Sequence, residues 1–336
     1  MLQPILKSLF NYQTLTREQA REVLINITSN SYTQSEVVAF LSVYMMRTVT
    51  VEELSGFRDG LLEQRQPLDL SEFNTVDLCG TGGDGKNTFN ISTLASFIVA
   101  GAGVKVAKHG NYGVSSGCGS SNVLESLGYK FTNDADLLRR QLDKAGICFL
   151  HAPLFHPAMK AVGPIRKELG IKTFFNMLGP LVNPARPNSQ MVGVYSLELA
   201  RIYQYLLQQE NISFTVVHSV DGYDEISLTG PFKIITQDGE RLMEASDMGM
   251  AVNSPAAIAG GESVESATEI FLKIIGGKGT EIQNNVVTAN AAWAIKSNRP
   301  NLSIWECIAM ASESLYSGRA AAALKTLLDT QNKNKH

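Results

Sequence analysis

Two short apolar runs, each emptying into a loop rich in glycine, serine and asparagine, constrain this 336-residue chain more than any other feature. They lie in TVDLCGTGGDGKNTFNISTLASFIVAGAGVKVAKHGNYGVSSGCGSSNVLESLG, which begins at Thr75. Residues 75–79 read as a buried strand, and Gly80, Gly82, Gly83 and Gly85 let the backbone turn with positive φ and approach a ligand closely. Asn87, Thr88 and Asn90 then mark a helix start, with Ser92 and Thr93 in its first turn, so free N–H groups and hydroxyls converge. Residues 104–107 read as a second strand ending at Lys108, His109, Gly110 and Asn111. The product is a βαβ unit with its polar loops on one edge, an arrangement that holds an anion.

Two familiar patterns fit this stretch incompletely. Gly80, Gly82 and Gly85 satisfy the dinucleotide fingerprint, but that site wants an acid near the end of the second strand, where this chain has Lys108 and His109. Residues 80–87 nearly spell a nucleoside-triphosphate loop, yet Asn87 takes the place of the metal-binding hydroxyl and Asp84 would sit inside the phosphate cradle. Glycines that merely make a tight turn would not explain the second loop, with Lys108, Asn111, Ser115, Ser116, Ser120 and Ser121.

The motifs GTGGDG, NIST, KHGN and SSxxGSSNVLE, in this order, resemble the anthranilate phosphoribosyltransferase family. HPAMKAVGPIRKELGIKTFFNMLGPLVNPA at 156–185 and DGYDEISL at 221–228 extend the likeness over most of the chain. Pyrimidine nucleoside phosphorylases share the architecture, but they carry a further C-terminal domain and are not expected to pair Asp with Glu. A non-catalytic, nucleic-acid-binding relative would need a basic stripe, which a net charge of -3 disfavours.

The length suits two domains, since single cores stop growing at about 250–300 residues. Residues 1–70 are helical in pattern, with capping boxes at Thr16 with Gln19, Thr33 with Glu36 and Thr50 with Glu53. Residues 122–127, 134–145, 157–169, 173–178 and 197–208 read as helices, and 147–150, 191–195, 214–220 and 226–228 as strands. Further on, 255–259, 264–275, 285–296, 304–317 and 319–328 read as helices, with strands at 232–235 and 241–243. The expected fold is α/β with a small all-helical domain and a central mixed, largely parallel sheet flanked by helices. By resemblance, residues 1–72 with about 155–188 form the helical, dimerising domain, and 73–154 with 189–336 form the donor-binding domain, with hinges between them. Cys79, Cys118, Cys148 and Cys307 lie far apart, as reduced cytosolic thiols do. No signal-peptide core or bilayer-length apolar run is present, so a cytoplasmic protein without membrane or nucleic-acid partners is expected.

The reaction implied by the resemblance moves a phosphoribosyl group from 5-phosphoribosyl 1-pyrophosphate to the amine of anthranilate. The protein must then position two substrates and stabilise the departing pyrophosphate. Asn90, Ile91, Ser92 and Thr93 suit the 5-phosphate. Lys108, His109, Gly110, Asn111, Tyr112, Gly113, Val114, Ser115 and Ser116, with Ser120, suit the pyrophosphate. The resemblance adds Gly80, Gly83, Asp84 and Thr88 to the donor site, and places anthranilate at Gly80, Asn111 and Arg166. Arg166 could hold the acceptor carboxylate in its planar fork, or be an exposed salt-bridge residue. Mg²⁺, with two ions per monomer expected, would sit at Asp224 and Glu225, with Ser92 added by resemblance. Alone, an Asp-Glu pair reads more often as solvated turn acids, and it is the DGYDEISL context, which resembles the family, that turns the reading to metal ligands.

No general base stands out. His109 and His156 read as structural, and a neutral aniline-type nitrogen can attack before losing its proton. Asn290 is expected to satisfy a buried backbone group. Three places depart from the family: Tyr112 stands where a basic residue is common, Gly117-Cys118 replaces a frequent basic-Ser pair, and Asn122 replaces an acid.

Overall fold

The computed structural model describes residues 1–113 and 118–332; Val114, Ser115, Ser116 and Gly117, placed above on the second loop, lie outside that range. The chain divides into two compact units, Met1–Pro67 with Ala152–Pro184, and Leu68–His151 with the chain from Ala185 onward. No helix among the described residues is long and apolar enough to cross a membrane.

In the first unit the chain forms helices Gln3–Phe10, Arg17–Thr28, Gln34–Met46 and Val51–Glu63. Thr16, Thr33 and Thr50 each accept a bond from the backbone N–H three residues on, and Gln19, Glu36 and Glu53 reach back to the cap. These boxes set where three helices begin because each satisfies donors that have no partner within the helix. The core is aromatic. Phe40, Tyr44 and Phe57 meet Phe174 from the returning segment, and the Phe57 and Phe174 rings stack at 4.2 Å.

That segment is more broken than its apolar pattern suggests. The helix expected at 157–169 is a 3-10 turn, Pro157–Lys160, and a short α-helix, Gly163–Leu169. Pro164 lacks an N–H and therefore starts a new helix rather than continuing the old one. The helix expected at 173–178 is likewise a 3-10 turn, Phe174–Met177, and Gly179–Val182 follows as another, with Pro180 near its start.

The second unit holds one seven-stranded sheet, in the order β3-β2-β1-β4-β5-β6-β7. Its strands are β1 (Thr75–Gly80), β2 (Lys105–Gly110), β3 (Ile147–His151), β4 (Ser189–Gly193), β5 (Ser213–Ser219), β6 (Phe232–Thr236) and β7 (Gly239–Met243). β1 to β5 are parallel, and β6 and β7 add antiparallel at one edge. β3 and β4 are buried along their whole length, as parallel strands covered by helices must be.

Helix Ile91–Gly101 is buried from Thr93 to Ala100 and packs on helices Glu281–Asn298, Ile304–Tyr316 and Arg319–Asn332. Glu281–Asn298 begins four residues before the expected 285, because a capping box at Thr280 and Gln283 fixes its start. The strand expected at 226–228 is absent. Ile226 is instead bonded through both backbone groups to the Asn290 side chain, at 3.1 and 2.9 Å, and Leu228 turns with φ 57.

Glu53 does more than close its box. Its carboxylate accepts from the N–H of Leu15 at 2.9 Å, the Tyr44 hydroxyl at 3.0 Å and both terminal nitrogens of Arg47 at 2.9 and 2.6 Å. Burial alone would raise its pKa, but the Arg47 pair and the donated backbone bonds outweigh burial and hold it below the ordinary value. The stability it contributes is therefore present above pH 4.5 and lost as pH falls through the depressed value. Glu53→Gln should destabilise the chain by about 3 kcal/mol at neutral pH, since it leaves Arg47 without its counter-charge. Urea unfolding followed by circular dichroism checks this, and the gap between the two proteins should close as the pH falls below 4.5.

Candidate functional site

Between β1 and β4 the sheet changes direction. From β1 the chain passes through helix Ile91–Gly101 to β2 on one side, and from β4 through helix Leu197–Gln208 to β5 on the other. Such a switch point leaves a crevice beyond the carboxyl ends of the two strands, where ligands bind in open α/β sheets. Here the strands end in a matched pair, Gly80 beside Gly193. The loop after β5 brings Asp224 against both. A Cβ on Gly80 would lie 2.2 Å from Asp224 Oδ2, and one on Gly193 would lie 1.5 Å from the Asp224 carbonyl oxygen. Gly193 was not among the residues expected from sequence; its signal is a glycine inside the apolar run MVGVY.

Asp224 and Glu225 meet the first glycine loop and the helix start. The N–H of Gly82 donates to Asp224 Oδ2 at 2.7 Å, and the N–H of Ser92 donates to Glu225 Oε1 at 3.3 Å. Neighbouring acids can share one place because 220–231 is a loop rather than a strand. Ser219 holds it from below, its hydroxyl donating to the Glu225 carbonyl at 2.6 Å and its N–H to the Tyr223 carbonyl at 3.1 Å. Burial, then the charges of Asp84 and Glu225, push Asp224 well above the usual carboxylate range. Burial pushes Glu225 up to about 7 against the lowering effect of the Lys108 charge.

Glu225 Oε2 is buried and has no hydrogen-bond partner, so the pair offers an oxygen ready for a cation. Gly80, Ser92, Asp224, Glu225 and Asn290 line a common recess. Among the described residues no three His, Cys, Asp or Glu side chains enclose a metal by themselves. Two carboxylates beside a hydroxyl fit a hard cation that keeps waters and takes oxygens from its ligand, which is the habit of Mg²⁺.

The helix start is held open rather than capped by its own side chain. Asn90 makes no side-chain cap and instead donates from Nδ2 to the Cys118 carbonyl of the second loop at 2.9 Å. Phe89 N–H reaches the Ile258 carbonyl at 3.1 Å, and Asn87 accepts from Gly260 N–H at 2.9 Å. Gly82, Gly83 and Gly85 have φ of 66, 80 and 73°, whereas Gly80 ends the strand with no positive φ.

The second strand runs further than its apolar pattern suggests. β2 ends at Gly110 rather than 107, because it pairs with β3 as far as Gly110 beside His151. Lys108 and His109 therefore lie in the sheet. Lys108 is 2% exposed, and its ammonium donates to the Leu78 carbonyl of β1. His109 is buried too, its N–H donating to Asp77 Oδ1 at 3.1 Å. The described loop ends are tied at the base. The Asn111 carbonyl accepts from Ser121 N–H at 3.1 Å and from Ser120 Oγ at 3.2 Å. Asn122 Oδ1 accepts from both Gly113 N–H at 3.1 Å and Gly119 N–H at 3.0 Å.

Arg166 stands on helix Gly163–Leu169 of the helical unit. It is partly buried, its guanidinium 5.5 Å from the centre of the Phe175 ring, with one bond of 3.4 Å to Asn176 Oδ1. Burial lowers its pKa, and among the described residues no carboxylate pairs with it. A desolvated planar fork without a counter-charge suits an incoming carboxylate, unlike the exposed salt-bridge arginine that sequence left open. His156 is structural, its Nε2–H donating to the Val182 carbonyl at 2.7 Å, with burial lowering its pKa to about 4.

Residues 72–321 match the model of the glycosyl transferase family a/b domain, and residues 3–64 that of the glycosyl transferase family helical bundle domain. The chain is 60% identical over 326 residues to the anthranilate phosphoribosyltransferase of Flavobacterium johnsoniae, covering 97% of this chain and 98% of that one. It is 53% identical to the Bacteroides thetaiotaomicron enzyme of the same name, over 99% of this chain and 100% of that one. The crystal structure of anthranilate phosphoribosyltransferase from Thermus thermophilus superposes with a TM-score of 0.91 at 30% identity, covering 97% of this chain and 99% of that one. The Saccharomyces cerevisiae enzyme in complex with PRPP and Mg gives 0.91 at 27% identity, covering 99% and 98%.

Two glycines of the site should fail for different reasons. A methyl at Gly193 meets backbone at 1.5 Å, which no rotamer can relieve, so Gly193→Ala should cost about 3 kcal/mol or more. Gly82→Ala meets nothing within 4 Å and should cost about 1 kcal/mol from its positive φ alone. Thermal unfolding of the two variants against the unaltered protein measures the difference.

Proposed function

The chain belongs to the anthranilate phosphoribosyltransferase family, and from that membership we propose how its residues divide the work of the reaction. It is a Mg-dependent pentosyltransferase of tryptophan biosynthesis. It transfers the phosphoribosyl group of 5-phosphoribosyl 1-pyrophosphate to the amine of anthranilate, giving N-(5-phosphoribosyl)anthranilate and pyrophosphate. The observation that carries the assignment of roles is the acid loop, packed on Gly80 and Gly193 and offering one unbonded Glu225 oxygen beside the Ser92 helix start.

On this reading the first turn from Asn90 to Thr93 binds the 5-phosphate, because Asn90 makes no side-chain cap of its own and a helix N-terminus favours an anion. The second loop, from Asn111 with Ser120 and the residues outside the described range, binds the pyrophosphate. Gly83, Asp84 and Thr88 complete the donor site. Asp224, Glu225 and Ser92 hold Mg²⁺, with two ions per monomer. When bound, the metal neutralises the pyrophosphate and so eases its departure. Lys108 acts indirectly, as a buried charge that favours the ionised form of Glu225.

Arg166 binds the anthranilate carboxylate, and Gly80 and Asn111 add contacts to the acceptor. No side chain is assigned as base, since the neutral amine attacks the electron-poor anomeric carbon and releases its proton afterwards. The helical unit exposes Phe10, Tyr12 and Met46, which supports a homodimer formed through it, and the free cysteines support a cytoplasmic setting.

Loss of anthranilate fluorescence with donor and Mg²⁺ present is the direct test. Asp224→Ala with Glu225→Ala should abolish Mg²⁺-dependent turnover in a folded protein; unchanged turnover would remove the metal assignment. Arg166→Ala should raise the KM for anthranilate about tenfold or more, the loss expected for a charge-assisted pair, with the donor KM little changed. A defect confined to the donor would refute its role.

A further inference from the structure

The two anion-binding loops, residues 80–93 and 108–122, contain three basic side chains: Lys86, Lys108 and His109. The last two are committed to the sheet. Lys108 is 2% exposed and bonded to Leu78, and His109 is buried on β2. The site is otherwise rich in negative charge, with Asp84, Asp221, Asp224 and Glu225 close enough for their charges to act on one another or on Tyr223. A donor bringing a phosphate and a pyrophosphate needs a cation that can reach it, and Lys86 is the lysine left for that task.

Its setting is specific. The Lys86 N–H is fixed by Asp84 Oδ1 at 3.0 Å, which orients the residue within the glycine loop. The ammonium stands 4.7 Å from the centre of the Tyr223 ring, on the residue immediately before Asp224. Tyr223 is itself 5% exposed, so the ring is a packed platform rather than a mobile surface group. The Lys86 stem also passes 3.9 Å from where a Cβ on Gly222 would lie. Despite four nearby acids, among the described residues no carboxylate is within ion-pair distance of Lys86.

A cation held against a ring has three N–H donors to offer an oxyanion, and a phosphate attracts it more strongly than a ring does. We propose that Lys86 is a donor-binding residue, resting on the Tyr223 ring in the free protein and turning to the pyrophosphate of the bound donor. The inference rests on the reading of this crevice as the phosphoribosyl pyrophosphate site. It joins the glycine loop to the acid loop through one flexible side chain, so the same residue meets the donor and borders the metal carboxylates.

The test compares Lys86→Ala, Lys86→Met and Lys86→Arg with the unaltered protein. Turnover is followed by anthranilate fluorescence, and inorganic pyrophosphate binding with Mg²⁺ by calorimetry. Lys86→Ala and Lys86→Met should raise the donor KM and the pyrophosphate Kd about tenfold, with anthranilate KM unchanged. Their donor KM should also depend less steeply on salt, because one charge has left the contact. Lys86→Arg should stay within about threefold of the unaltered protein, since its charge is kept. Unchanged donor KM and pyrophosphate Kd would overturn the proposal, as would a Lys86→Met protein that binds normally while Lys86→Ala does not, because that would make the stem's packing the whole effect. Failure of the unaltered protein to consume anthranilate would instead overturn the reading of the site itself.

Discussion

Asp224 occupies the space that side chains on Gly80 and Gly193 would fill, and the site depends on that contact. Two parallel strands end side by side at the switch point, and a loop from a third strand lies directly on their last residues. Because the contact at Gly193 is backbone against backbone, the acid loop lies where not even a methyl group would fit. Everything that follows inherits this position: the Gly82 bond to Asp224, the Ser92 bond to Glu225 and the Asn290 clamp on Ile226. A sheet supplies the rigidity, and the absence of two side chains supplies the closeness.

The helical unit achieves rigidity differently. Glu53 gathers an arginine, a tyrosine and two backbone N–H groups around one carboxylate, while Phe174 from a distant part of the chain completes the aromatic core. Such a hub tolerates little change, since removing either charge strands the other in a dry place. Arg166 is the counter-example in the same unit, a partly buried guanidinium left with an amide and a ring.

Local chemistry was readable where it is self-contained. Three capping boxes, at Thr16, Thr33 and Thr50, stand as expected, because each needs nothing beyond four consecutive residues. What escaped was set by partners distant in sequence. β2 extends to Gly110 because β3 pairs with it, the strand expected at 226–228 is absent because Asn290 takes the backbone hydrogen bonds of Ile226, and Gly193 matters because of Asp224. Lys108 looked like a loop cation by its neighbours and proved to be a sheet residue whose ammonium is turned inward. Asn122 stood out only as a departure from the family pattern, and its purpose, joining Gly113 to Gly119, is visible only in three dimensions.

The bond from Ser92 to Glu225 means that the positive end of helix Ile91–Gly101 already faces a carboxyl oxygen of the protein before any ligand arrives. Filling the crevice is thus an exchange of partners. A phosphate that takes the Ser92 N–H displaces the carboxylate, and the carboxylate gains elsewhere only if a cation comes with the phosphate. An anion arriving alone competes with the protein's own acid, whereas an anion arriving with its metal satisfies both sides at once. On the proposed reading, a donor that brings its metal with it therefore suits this crevice better than a simple phosphate that arrives alone.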